Sequence, residues 1–218
     1  MVSMRALKVL LALVLAAAGL LSVYVIGWYR DRYSGRGPMH YTRRWILHTP
    51  LRRLVHPVQP MLDKFGVRPG ATVLELGPGN GYFSIDAARL LGAGGRLVCL
   101  DIQPPMLHDL RGRLNTAGVT NAHPVLGDAH HLPLADSSVD VAFLVTVLGE
   151  IPDRPQGLAE LRRVLKPGGV LSITESLTDP DYQFEDTVRD VCRASGFAPR
   201  DHHRGLLGFT MNFAAPGS

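Results

Sequence analysis

Val73-Leu-Glu-Leu-Gly-Pro-Gly-Asn-Gly-Tyr-Phe-Ser84 decides how this chain folds. Val73 to Leu76 read as a short buried strand, and Gly77, Gly79 and Gly81 as a tight turn. Tyr82 onward reads as a helix. A glycine turn between strand and helix lets backbone N–H groups come close to a ligand, because no Cβ stands in the way. A dinucleotide fingerprint needs a small residue at its sixth place, where helix packs on strand. That place is Tyr82 here, so Glu75-x-Gly77-x-Gly79-x-Gly81 fits that fingerprint poorly.

Working outward, apolar strands alternate with helical stretches. The spacing predicts strands at 72–76, 96–100, 122–126, 139–145 and 170–174. It predicts helices at 60–65, 81–91, 104–117, 154–165 and 181–194, the last stopped at Gly196. Two strands, 197–203 and 206–213, close the chain through Arg204-Gly205. Alternation of this kind gives a parallel sheet covered on both faces. The closing link is too short for a crossover, so its strands are antiparallel. Ligands of such sheets bind at the carboxyl ends of the strands. Glu75, Asp101 and Asp128 stand in order at the ends of the first three.

The net charge of +4 is unevenly spread. Residues 1–60 hold nine bases (Arg5, Lys8, Arg30, Arg32, Arg36, Arg43, Arg44, Arg52, Arg53) against one acid, Asp31, so the remainder is net negative. A basic arm on an acidic domain argues against nucleic-acid binding by the domain. Val9 to Tyr29 carries no charge. As a helix it would be roughly 32 Å long at about 1.5 Å per residue, close to the ~30 Å bilayer core. Trp28 and Tyr29 end it, where aromatic rings favour the headgroup level. A cleaved signal peptide is the rival, with Ala16-Ala17-Ala18 as its cleavage site, but the apolar run continues well past Ala18. We expect an uncleaved single-pass anchor over 1–33. The more basic flank follows the span, so the domain is expected to face the cytoplasm. Residues 34–59 form a basic amphipathic linker, either lying on an anionic membrane surface or packed on the domain, and 60–218 the domain itself.

Cys99 and Cys192 read as buried small hydrophobes. His130-His131 lacks a third ligand at metal spacing, so no metal is expected, and no P-loop, zinc spacing or Gly-x-Ser-x-Gly elbow occurs.

Glu75-Leu-Gly-Pro-Gly-Asn-Gly81 resembles the first motif of class I S-adenosylmethionine methyltransferases of the methyltransferase-11 type. Leu161-Arg-Arg-Val-Leu-Lys-Pro-Gly-Gly169 resembles the segment before strand 5 in the branch that includes ubiquinone and menaquinone methyltransferases. The resemblance covers Pro60 to the C-terminus. It implies a doubly wound, Rossmann-like seven-stranded sheet with one antiparallel strand, preceded here by the expected transmembrane helix. It also implies S-adenosylmethionine as cofactor. Gly77, Gly79 and Gly81 would wrap its methionine part, and Glu75 would orient its amino group. Asp101 would hold the ribose hydroxyls, Ile102 would pack on adenine, and Asp128 with the Ala129 amide would read the adenine edge. The arm would often cover the substrate pocket in this family.

The proton acceptor is less legible. Candidates are Glu150 and Thr146 after strand 4, His130 and His131 after strand 3, Glu175 after strand 5, and His40, Tyr41 and His48 in the arm. Many relatives carry a histidine near position 150, where this chain has Gly149-Glu150-Ile151. No Asn-Pro-Pro-Tyr string follows strand 4, which speaks against amino-group methylation of DNA bases or protein glutamine, and an arsenite-type cysteine set is missing. The expected partner is a small acceptor, with a lipid or quinone favoured by the anchor and a thiol suggested by the similar layout of anchored thiol methyltransferases. Two alternatives remain: a non-catalytic, membrane-tethered module that binds S-adenosylmethionine, and a nicotinamide oxidoreductase, which Tyr82 and Asp128-Ala129 disfavour.

Overall fold

The computed structural model describes residues 4–33, 38–39, 41 and 56–217. In the first helix, α1 (Met4–Tyr33), the described side chains are Val9 and those of 11–27. Those apolar side chains are largely exposed. Among the described residues no helix is long and apolar enough to cross a membrane. The basic stretch at 42–55, with His48, lies outside the described residues, as does His40.

The domain then runs α2 (Val58–Phe65), β1 (Thr72–Leu76), α3 (Ser84–Leu91), β2 (Arg96–Asp101), α4 (Pro104–Thr116), β3 (Ala122–Leu126) and β4 (Val139–Val145). It continues with α5 (Arg154–Val164), β5 (Leu165–Ser176), α6 (Glu185–Ala194), β6 (Ala198–Gly205) and β7 (Gly208–Ala214). The strands form one seven-stranded sheet in the order β3-β2-β1-β4-β5-β7-β6. Only β7 runs against its neighbours. Order reverses between β1 and β4, and a cavity at their carboxyl ends follows from that reversal.

β4 illustrates why the sheet is buried on both faces. Val139, Ala142 and Leu144 join the apolar cluster under α5 and α6. Val141, Phe143 and Val145 join the cluster under α2, α3 and α4. Neighbouring side chains leave a strand on opposite faces, so a near-continuous apolar run serves both layers. Phe143 stacks on Phe65 at 4.9 Å, and Phe83 meets Phe65 edge-on at 5.8 Å. Burying a ring of this size contributes about 3 kcal/mol. Asp140 ties the lower ends of three strands together. It accepts from the Thr72 amide at 2.8 Å and from Lys166 Nζ at 2.6 Å. Burial alone would raise its pKa, but these two donors outweigh that and hold it below the usual carboxylate range. The acid leading into β4 is therefore structural.

Four boundaries differ from the sequence expectation for a local physical reason, and others shift by one or two residues. Helix α3 starts at Ser84, not Gly81, because Gly81 has φ +87° and keeps the chain in the turn. Strand β5 starts at Leu165, and its pairing with β4 skips from Val139↔Leu165 to Val141↔Val170, so Lys166–Gly169 bulges within the strand. Helix α6 starts at Glu185, not Asp181. Asp179 bends the chain first, its Oδ1 accepting from the Asp181 amide at 2.8 Å. The final hairpin turns at Leu206-Leu207, since Arg204 and Gly205 are paired with Phe209 and Gly208.

Candidate functional site

A cavity of about 290 Å³ opens at the carboxyl ends of β1, β2, β3 and β4. The glycine turn forms its floor. Gly77 has φ +71°, and a Cβ there would stand 2.5 Å from Val147 Cγ2. Both the conformation and the space therefore demand glycine. Gly79, at φ +55°, also lines the cavity and donates its N–H to Asp101 Oδ2 at 3.1 Å. Gly81 does not line it. A Cβ there would meet Leu110 Cδ1 at 2.4 Å, so this glycine lets α4 pack against the turn.

The three strand-end acids all line the cavity, each in a different setting. Asp101 is 6% exposed and accepts from the Gly79 amide and, at 2.9 Å, from the Gln103 amide. Burial nonetheless raises its pKa against those donors. Glu75 is buried and accepts from Ser84 Oγ at 2.6 Å through Oε2, which fixes the carboxyl at the turn. Asp128 holds His130 twice, through the backbone amide at 2.9 Å and Nδ1 at 2.7 Å. Ile102 and Ala129 line the same space, and Ile102 is half exposed, presenting a free apolar face.

The proton-acceptor candidates divide. Thr146, Glu150 and His130 line the cavity. His131 is exposed and is not among the lining residues, and neither are Glu175 and Tyr41. His130 has both ring nitrogens engaged, because its Nε2 accepts from the Asp153 amide at 3.3 Å. Tyr41 donates to Asp109 at 3.0 Å. Thr146 has φ +55° at the end of β4, a conformation costing a β-branched residue about 1–3 kcal/mol. Glu150 sits in a single 3-10 turn, Leu148–Glu150. Its pKa is raised well above normal by burial and by the Asp179 carboxylate, with Asp181 and Asp101 adding to the effect. The Met39 amide opposes this, donating to Glu150 Oε1 at 3.2 Å.

The resemblance implied an arm over the pocket, but sequence reasoning did not single out the arm residues that reach it. Pro38 and Met39 line the cavity. Met39 also accepts from Gln103 Nε2 at 3.0 Å, so its backbone bridges the loops after β2 and β4. Asp179, rather than Glu175, is the acid after β5 that reaches the cavity. No local pattern signals either, since both arise from contacts between distant segments.

Residues 74–173 match the family described as "Methyltransferase domain". The matched domain and the similar proteins are methyltransferases, and S-adenosylmethionine is the cofactor that likeness implies. One similar protein is the ubiquinone/menaquinone biosynthesis C-methyltransferase of Haemophilus ducreyi, 38% identical over 126 residues. That alignment covers 56% of this chain and 49% of the relative. The chain thus spans about half the length of the curated relatives it matches. Among solved structures, a SAM-dependent methyltransferase from Aquifex aeolicus superposes with a TM-score of 0.77 at 23% identity, covering 82% of this chain and 100% of its own. The [4+2]-cyclase SpnF superposes with a TM-score of 0.68 at 16% identity, covering 92% and 96%. Both establish the fold.

The residues fit the implied cofactor. The Gly77 backbone leaves no room for a side chain, and the Gly79 backbone lines the cavity in a glycine conformation. The buried Asp101 carboxylate faces the same cavity and suits a pair of hydroxyls.

Proposed function

We propose that the chain is a membrane-anchored methyltransferase that acts on a small hydrophobic acceptor of the quinone, lipid or thiol kind. One observation carries the reading: a single cavity is lined both by the acids after β1, β2 and β3 and by Glu150, a carboxyl held protonated to unusually high pH. S-adenosylmethionine would supply an electrophilic methyl group on a sulfonium. Asp101 binds and orients through its carboxylate, and Gly77 and Gly79 admit the ligand to the backbone. Glu150 receives the proton that the acceptor loses on methylation, since a raised pKa brings a base towards neutrality. Met39 closes the space above these groups and excludes water from it.

The acceptor class draws on the ubiquinone/menaquinone C-methyltransferase relatives. The anchor draws on the charge-free run Val9 to Tyr29 within α1 and on the basic residues after it. The same charge asymmetry supports a cytoplasmic domain.

Calorimetric titration of the full-length protein in detergent with S-adenosylhomocysteine, with NADH alongside, tests the cofactor. Binding of S-adenosylhomocysteine alone is expected. In Asp101→Ala it should weaken about 100-fold or more, as loss of charged hydrogen bonds worth roughly 1.5–3 kcal/mol each requires. NADH binding would overturn the reading. The second reading, a non-catalytic tethered module, is favoured by His130, the histidine in the cavity, whose ring nitrogens are both engaged, and the fold alone does not entail methyl transfer. Binding without turnover of any acceptor in membrane extracts would select it.

A further inference from the structure

Three large apolar side chains stand in the open beside the cavity. Leu206 is 95% exposed, Phe184 66% and Leu177 54%. Strand pairing brings them to one place. Ser176↔Gly208 aligns the end of β5 with the start of β7, and the Leu177 amide donates to the Leu207 carbonyl at 2.8 Å. Tyr182 contacts both Phe184 and Phe209, at 5.3 and 6.1 Å between rings. Arg204, two residues before Leu206, pairs with Glu185, the residue after Phe184, at 2.7 Å. This edge lies at the carboxyl end of β5, the side on which the cavity opens. Asp179, from the same loop, lines the cavity.

Leu206-Leu207 is an unusual choice for a hairpin turn. Two-residue turns favour Asn, Asp and Gly, whose conformations suit the strand twist and whose polarity suits water. Two leucines meet neither need. They do suit a surface that is itself apolar.

α1 supplies an independent indication of which surface that is. The Tyr24 hydroxyl donates to the carbonyl of Thr178, next to Leu177, at 3.1 Å. Tyr24 lies five residues inside the end of the charge-free run. At about 1.5 Å per residue, that is roughly 7 Å within a span that ends at Tyr29. Apolar groups of interfacial proteins sit about 5–10 Å into the boundary between headgroups and acyl chains. Two acids beside the patch are ion-paired, Glu185 with Arg204 and Asp186 with Arg189, and Asp179 in the same loop turns into the cavity.

We propose that Leu206, Leu177 and Phe184 form a second membrane contact, which dips into the bilayer surface and turns the cavity mouth towards the lipid. This rests on the anchored reading above. A hydrophobic acceptor would then pass from the bilayer to the cavity without crossing bulk water.

The test uses the full-length protein in vesicles of phosphatidylcholine and phosphatidylglycerol. Cys99 and Cys192 are buried, so a new surface cysteine can be labelled selectively. An environment-sensitive fluorophore is attached at Leu206→Cys, with Ala93→Cys, in the exposed turn before β2, as the control. Leu177→Cys serves as a second probe of the patch, and S-adenosylhomocysteine binding reports that each variant is folded. At 206 and 177 the emission should shift to shorter wavelength and be quenched by lipids carrying a nitroxide near the headgroup. At 93 neither should occur. Vesicle-bound protein with water-like emission at both patch positions would overturn the second contact while leaving the anchor standing. A blue shift that lipid nitroxides do not quench would assign the patch to another protein surface and overturn it too. Protein that fails to float with vesicles would remove the anchored reading and this inference together.

Discussion

Glu175 offers the most direct check on the electrostatics around the cavity. It is 1% exposed at the end of β5. Its Oε2 accepts from the Gln183 amide at 3.2 Å, and its Oε1 has no hydrogen-bond partner among the described residues. Burial pushes its pKa from 4.5 up to about 8; the Gln183 amide and Arg154 resist this, and Asp179 and Asp181 add to it. The sign follows from proton counting. Between about pH 4.5 and 8 the folded protein keeps a proton that the unfolded chain has lost. The contribution to stability is therefore complete below pH 4.5 and is lost as pH rises through about 8. At about 1.4 kcal/mol per pH unit the loss has a ceiling of about 5 kcal/mol. Glu175→Gln removes the titration. The amide inherits the same unpartnered position as the protonated acid, so any cost of the substitution does not vary with pH. The variant should track the wild type near pH 5 and gain on it towards pH 9. At ~2–4 °C per kcal/mol for a chain of this size, the gap in Tm should widen by as much as ~10–20 °C. Thermal melts followed by circular dichroism in one detergent measure it. Tm curves that stay parallel from pH 5 to 9 would refute the reasoning, because Glu175 would then be solvated or already ionised in the folded state.

Other expectations concern the turn and the base. Gly77→Ala should lose about 2–4 kcal/mol of stability in urea titration, from the positive φ and from the methyl driven against Val147, and adding Val147→Ala should restore part of it. Glu150→Gln should lower kcat by about 100-fold or more while leaving S-adenosylhomocysteine affinity in place, as removal of a positioned base does. In the wild type, kcat should rise with pH through a value well above the ordinary glutamate range, and the variant should lack that limb. Met39→Pro removes the N–H that steadies the ionised form of Glu150, so its limb should move to higher pH.

How much of this was legible in the sequence depends on the range of the contacts involved. Strands β1 and β4 were readable residue for residue, because a buried parallel strand is a short apolar run bounded by turn residues, and the half-buried edge strand β3 was bounded by the turn residues on either side of it. The positions of Glu75, Asp101 and Asp128 followed from where those runs end. The start of α6 was misread since Asp181 to Phe184 has helical composition, and only the Asp179 side chain diverts it. The hairpin turn was misread because Arg204-Gly205 looks like a turn and Leu206-Leu207 does not. The pairing that decides it, Ser176 with Gly208, spans 32 positions. The same distance dependence sorts the candidate bases. His130 looked free in the sequence, but the Asp153 amide, which also begins α5, occupies its second nitrogen. Glu150 had no motif to recommend it, and its case rests on burial in the cavity, which the Asp179 carboxylate from the loop after β5 reinforces and the Met39 amide from the arm opposes.

Met39 links the arm to the chemistry: it lines the cavity, and its backbone bonds to both Glu150 and Gln103. A shift of the arm would break the Glu150 bond and the Gln103 bond together: loss of the Met39 N–H raises the pKa of Glu150, but the water admitted removes the burial that raises it most, so the net movement is downward. If α1 anchors the chain as proposed, proton acceptance at Glu150 would depend on how the arm is held. The kcat–pH limb should then differ between the protein in a bilayer and in detergent, and a limb unmoved by that change would separate the arm from the base.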